Sequence, residues 1–246
     1  MTFDEDMKIP VTTTWSAEWA IDINKPLKEI FASLHAEFAK VGRAFHDTLA
    51  IHEKNLPHLL EVMIRYSWYP DFAIPISDSR ALEAYAKAKA IDKIENYLIA
   101  FYRSSVARIE MELAKAYPHR LSILSEAFSA YRNKQYILSI PVLLAQADGI
   151  SEEILHQHFF RAIKSIPEAK KKANNPDFGS YTLILLEPLL QLGTIRENTK
   201  NLLGQTDYLN RHGIMHGSDL QYGTEKNALK SISLLSYLNA VRITIK

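Results

Sequence analysis

Cysteine is absent from the 246-residue chain, which excludes disulfide staples, thiolate zinc sites, thioredoxin-like redox chemistry and cysteine nucleophiles together. No run approaches the roughly 18 apolar residues that a membrane span needs. The richest stretch, YTLILLEPLLQL at 181–192, carries Glu187 and Pro188 within it. Charge of one sign is lacking too: 29 Lys+Arg stand against 28 Asp+Glu, a formal net charge of +1. That excludes a binder gripping nucleic acid through bulk positive field, and equally an acidic disordered tail. The opening residues, MTFDEDMK, are acidic where a signal peptide is basic, and no apolar core of a signal follows. The expectation is a soluble, cytoplasmic protein with no membrane partner.

Glycine is scarce and unevenly placed. Of eight, only Gly42 precedes residue 149, while Gly204, Gly213, Gly217 and Gly223 crowd into one twenty-residue stretch. Glycine punctuates regular structure and allows backbone angles that other residues avoid. The first 148 residues therefore predict long helices, and 204–223 predicts the unusual backbone.

Strand signals are nearly absent as well. Residues 1–25 hold IPVTTTW, which reads as an extended arm packing Trp15 and Trp19. Apolar residues at three- and four-residue spacing (Leu27, Ile30, Phe31, Leu34, Phe38, Val41, Phe45) predict a helix over 26–56. Pro57, Pro70 and Pro75 bracket a shorter helix from Leu59 to Trp68. Ser79 to Tyr117 contains neither Gly nor Pro, so it predicts one very long helix, or two that break near Ala90, ended by Pro118.

Beyond Pro118 the rhythm shortens. A helix carrying Leu121, Leu124 and Phe128 turns at 132–135 (RNKQ) into a strongly apolar helix kinked at Pro141. Gly149 is expected to stop it, with Ser151 capping a next helix that bears Ile154, Leu155, Phe159, Phe160 and Ile163. A polar loop over 165–179, a buried helix bent at Pro188, and a last helix starting at Thr224 with Ala228, Ile232, Leu235 and Leu238 on its face complete an all-α chain.

Metal and cofactor chemistry finds little support. Glu153 and His156 form an E-x-x-H pair, but di-metal bundles need two copies and no second occurs. His156 and His158 have no third partner in sequence, and His35, His46, His52 and His58 are scattered. Phosphate-loop, dinucleotide and zinc-protease motifs are missing. The Lys170–Lys171–Lys172 run reads first as a solvated loop. No cofactor and no metal are expected.

What stands out is 208–238, where Arg211, His212 and His216 lie inside the glycine cluster between two apolar helices. An arginine is a permanent cation whose fork of donors matches a phosphate. A histidine gives or takes a proton near neutral pH. Together they are a minimal kit for cutting RNA without metal: a base for the 2′-OH, a cation for charge on phosphorus, an acid for the leaving oxygen. The plain alternative is a helix start whose polar residues happen to titrate.

Arg211-His212-x-x-x-His216 resembles the R-x(4–6)-H motif of the HEPN superfamily, in which the residue after the arginine is typically Asn, Asp or His. With Y-x-x-x-I-P-x-L-L-x-Q-x-D-G-I at 136–150 and R-H-x-x-x-H-G at 211–217, the chain is similar to a bacterial HEPN group. The resemblance implies a compact bundle of four or five helices over residues 119–246, preceded by a helical extension over 1–118. It implies a metal-independent endoribonuclease leaving a 2′,3′-cyclic phosphate and a 5′-hydroxyl, of the toxin–antitoxin or anti-phage defence type. Arg211 and His216 would be catalytic and His212 a supporting polar partner, with the neighbouring Asn210. RNA would be the substrate, a homodimer with residues 205–220 near its axis the working form, and a neutralising antitoxin or defence protein a further partner. Ser218 replaces the tyrosine that one toxin group carries two residues after the histidine. The alternative class is a non-catalytic helical module that uses the same motif to bind nucleic acid or a protein. On an unbroken helix Arg211 and His216 point about 140° apart; a backbone relaxed at Gly213, so that Arg211 precedes the helix, is the expected remedy.

Overall fold

Local stop signals set the element order. In a computed structural model, residues 54–161, 180–191, 193–202 and 208–244 are described; the expected arm at 1–25, nearly all of the helix at 26–56, the loop at 165–179 and the lysine run lie outside them. Helix α1 is described over 54–65. There follow α2 (Ile76–Lys87), α3 (Ile91–Ala116), α4 (Leu121–Arg132), α5 (Tyr136–Leu155), α6 (Ser180–Leu190), α7 (Arg211–Met215) and α8 (Glu225–Thr244). Short 3₁₀ turns at Pro118–Arg120, Phe159–Arg161 and Thr199–Leu202 join them, and no strand occurs among the described residues. The chain is all-α.

Several helices end on a residue in the left-handed region that is not glycine: Ser67, Lys89, Lys134 and His156 have φ of 63°, 56°, 58° and 50°. Lys89 makes the break expected near Ala90, and Lys134 the turn expected at 132–135. Pro118 ends α3 as expected, with Tyr117 pushed to φ −132° and ψ 64°. Pro57, by contrast, lies inside α1 rather than ahead of it.

Two expectations about α5 are overturned. It does not stop at Gly149 but continues to Leu155. The glycine is there because a Cβ would sit 2.7 Å from Nη2 of Arg120, a guanidinium that also holds Glu153 and Gln146. Ser151 therefore caps no helix; its hydroxyl donates to the Gln157 carbonyl at 2.8 Å, tying down the chain after α5. Phe159 and Phe160 consequently fall on a 3₁₀ turn. Pro141 removes the N–H that would have bonded the Ile137 carbonyl, and the Tyr222 hydroxyl donates to that carbonyl instead at 3.1 Å.

The core centres on α8, which packs on α3, α5 and α6. The expected single apolar face is too narrow: residues 227–239 are buried all round. Small polar side chains make this possible by bonding within the fold. Ser231 donates to Asn227 O and Ser233 to Lys230 O, while Ser236 donates to Oδ2 of Asp71 at 2.8 Å. Buried Lys230 meets Glu95 at 3.2 Å, and Glu95 also accepts from the Trp68 indole at 3.1 Å. A buried cation is tolerated only with such partners. One hydrophobic core extends from Leu56 to Val241 across Pro118, and the described residues all fall in one compact unit beginning at Ala50.

Candidate functional site

Helix α7 is one and a half turns long, too short to persist by propensity. It is held from both ends. At its start, Asn210 is fully buried, and its Oδ1 accepts from the Gly213 N–H at 2.7 Å, the bond of an N-cap. The same side chain donates through Nδ2 to the carbonyls of Thr194 (2.7 Å) and Glu197 (2.8 Å). At its end, Ser218 N–H bonds Gly213 O at 2.9 Å and Gly217 N–H bonds Ile214 O at 3.1 Å. Gly217 has φ +69°. This is a Schellman ending, whose left-handed residue is normally glycine. His216 is the residue just past the helix, φ −94° and ψ 1°.

The turn that anchors Asn210 is itself anchored to α1. The Ser67 and Thr194 hydroxyls lie 2.6 Å apart, with Leu209 O 2.9 Å from the Ser67 oxygen and Arg65 O 3.0 Å from the Thr194 oxygen, so two protons serve three contacts: one hydroxyl donates to the other, which donates to its carbonyl. Arg211 N–H completes the tie by bonding Ile195 O at 3.1 Å.

On this frame His212 and His216 are both exposed, one turn apart, with ring centroids 4.3 Å apart at 61°. Arg211 is half-buried, and its guanidinium lies over the Phe160 ring at 5.5 Å. The structure thus brings the two histidines together and seats the arginine apart from them. No hydrogen bond joins Arg211 to either ring among the described residues. The expected relaxation at Gly213 does not occur: Arg211 is the first helical residue, and Gly213 is helical and buried. Its small size serves packing, since a Cβ would lie 3.3 Å from Asp219 Cβ and from Thr199 Cγ2.

Beside this stack is a second one. Arg196 lies over Phe159 at 4.9 Å, with Phe159 and Phe160 edge to face at 5.1 Å. Its Nη2 donates to Gln191 O, Nε and Nη1 are buried without a hydrogen-bond partner, and burial pulls its pKa below the usual arginine value. Asp148 joins the wall, accepting from Phe160 N–H at 3.0 Å and approaching His158 Nδ1 at 3.3 Å.

The remaining described histidines have other occupations, while His35, His46 and His52 lie outside the described residues. Glu153 bonds His119 (3.0 Å) and Arg120, which pull its carboxyl below the usual range against the opposing effect of burial. It makes no pair with His156, which serves as the left-handed C-cap of α5. Among the described residues no three metal-ligating side chains converge, and no helix is long and apolar enough to cross a membrane. Ser67, Thr194 and Phe160 were not legible as site residues, because each acts across a long sequence separation; only Asn210, three residues before a buried glycine, carries a local capping signal. No protein-family model matches the chain, and neither curated proteins nor solved structures offer a match.

Proposed function

We propose that the chain is a metal-independent endoribonuclease of the HEPN type, with Arg211 and His216 as its catalytic pair. What carries the reading is one observation: two exposed imidazoles in contact, and a permanent cation, share a helix stub that is capped at both ends. A five-residue helix so firmly held serves to present side chains. His216 takes the proton of a ribose 2′-OH, and the 2′-oxygen attacks phosphorus. The P–O5′ bond breaks, leaving a 2′,3′-cyclic phosphate, while an acid protonates the departing 5′-oxygen. Arg211 swings from its seat over Phe160 to hold the charge that builds on the phosphoryl oxygens. His212, against His216, fixes that ring's orientation. Two such motifs across a two-fold axis divide base and acid between them, so the working form is a homodimer. Such an enzyme acts on cytoplasmic RNA and belongs to a defence or toxin–antitoxin system, held in check by a partner. The test is an RNA digestion with EDTA present, followed by end-group analysis. Cyclic-phosphate and 5′-hydroxyl ends support the reading; 3′-hydroxyl ends, or activity only after Mg²⁺ is returned, overturn it.

A further inference from the structure

His212 and His216 are spaced i, i+4 and both are exposed, with rings 4.3 Å apart. Two imidazoles at this spacing, here His212 on α7 and His216 at its C-cap, are the two-histidine part of helical zinc sites, which take a third protein ligand besides. The backbone beneath them is fixed: His216 N–H bonds His212 O at 3.1 Å, and the N-cap and Schellman bonds hold both ends. The entropy of bringing the ligands together is therefore largely spent in folding. We propose that His212 and His216 form a two-nitrogen site for a divalent ion of the Zn²⁺ class, and that its occupancy switches the motif off. Neutral nitrogen donors select Zn²⁺, Cu²⁺ or Ni²⁺ over Mg²⁺ and Ca²⁺, which want oxygen. No third His, Cys, Asp or Glu completes the set among the described residues, so solvent fills the other positions and the ion exchanges readily. A bound ion occupies the nitrogen lone pair that His216 needs to accept a proton, and adds fixed positive charge beside the motif.

The inhibitory half rests on the ribonuclease reading; the metal site does not. The experiment is calorimetric titration of the full chain with ZnCl₂, without RNA, for wild type, His212→Ala, His216→Ala and Arg211→Ala. Each histidine variant should lose about tenfold or more in affinity, since even supporting shells are worth that much. Arg211→Ala should bind Zn²⁺ as wild type does, and MgCl₂ should give no saturable heat. Both histidines are exposed, so the melting midpoints should stay together and a folding defect is readily seen. Equal Zn²⁺ affinity in wild type and both histidine variants overturns the site. Zn²⁺ should also suppress wild-type cleavage and EDTA restore it; undiminished cleavage at saturating Zn²⁺ overturns the switch. A chain that binds Zn²⁺ through these residues yet cuts no RNA keeps the site and refutes the ribonuclease reading alone.

Discussion

The hydroxyls of Ser67 and Thr194 lie 2.6 Å apart, and through them the end of α1 is fastened to the turn that carries Asn210. The motif helix thus depends on a segment well over a hundred residues upstream. Thr194→Val removes the hydroxyl contact to Ser67 and the solvent-accessible bond to Arg65 O, while Ser67 keeps Leu209 O, so the cost should be about 0.5–1.5 kcal/mol. Thermal denaturation should show the drop, and amide exchange should show it concentrated in residues 208–218. Uniform loss of protection across α3 and α8 would place the tie elsewhere.

Asn210→Ala removes an N-cap worth about 0.5–2 kcal/mol and also takes a donor from two half-buried carbonyls, Thr194 O and Glu197 O. Its melting midpoint should fall, and RNA cleavage should fall with it because α7 is no longer held. Asn210→Asp keeps the acceptor for Gly213 N–H but turns a buried carboxylate oxygen towards both carbonyls, so it should be at least as destabilised as Asn210→Ala.

Much of the helical order was legible because its signals are local. The breaks near Ala90, at Pro118 and at 132–135 are written in adjacent residues. Gly149 was not legible, because the demand for a missing side chain comes from Arg120 across a helix pair. Nor was the all-round burial of residues 227–239 in α8, where only one apolar face was expected and the serines bond the helix's own carbonyls and Asp71. At the site the cluster of Arg211, His212 and His216 is a feature of neighbouring residues. The seat of Arg211 over Phe160 depends on α5 running past Gly149, which no local pattern announces.

Acid stability should carry the mark of Glu225. Hydrogen bonds from Arg103, at 2.8 Å to both carboxylate oxygens, hold its pKa below the ordinary glutamate value. A depressed folded-state pKa gives stability that is present above the unfolded value and lost as pH falls through the folded one. Wild type should therefore lose stability through the acid range more steeply than Glu225→Gln. Parallel melting curves for the two across that range would remove this contribution.

Assembly offers a separate check. One motif with its histidines in contact does not place a base and an acid on opposite sides of a phosphate, so activity should require two chains. Light scattering at micromolar concentration should give a homodimer, and cleavage should fall on dilution below the dissociation range. A strict monomer with full activity would contradict the arrangement.

The central claim is that His216 does chemistry and not structure, and the rate of RNA cleavage by His216→Ala in EDTA tests it most directly. Leu235→Ala is the reference: that side chain is fully buried on α8, and its truncation should cost about 2–5 kcal/mol. The account predicts that His216→Ala melts close to wild type and cleaves about 10²–10⁴-fold more slowly. Cleavage at the wild-type rate, or a loss of stability as large as that of Leu235→Ala, would contradict it.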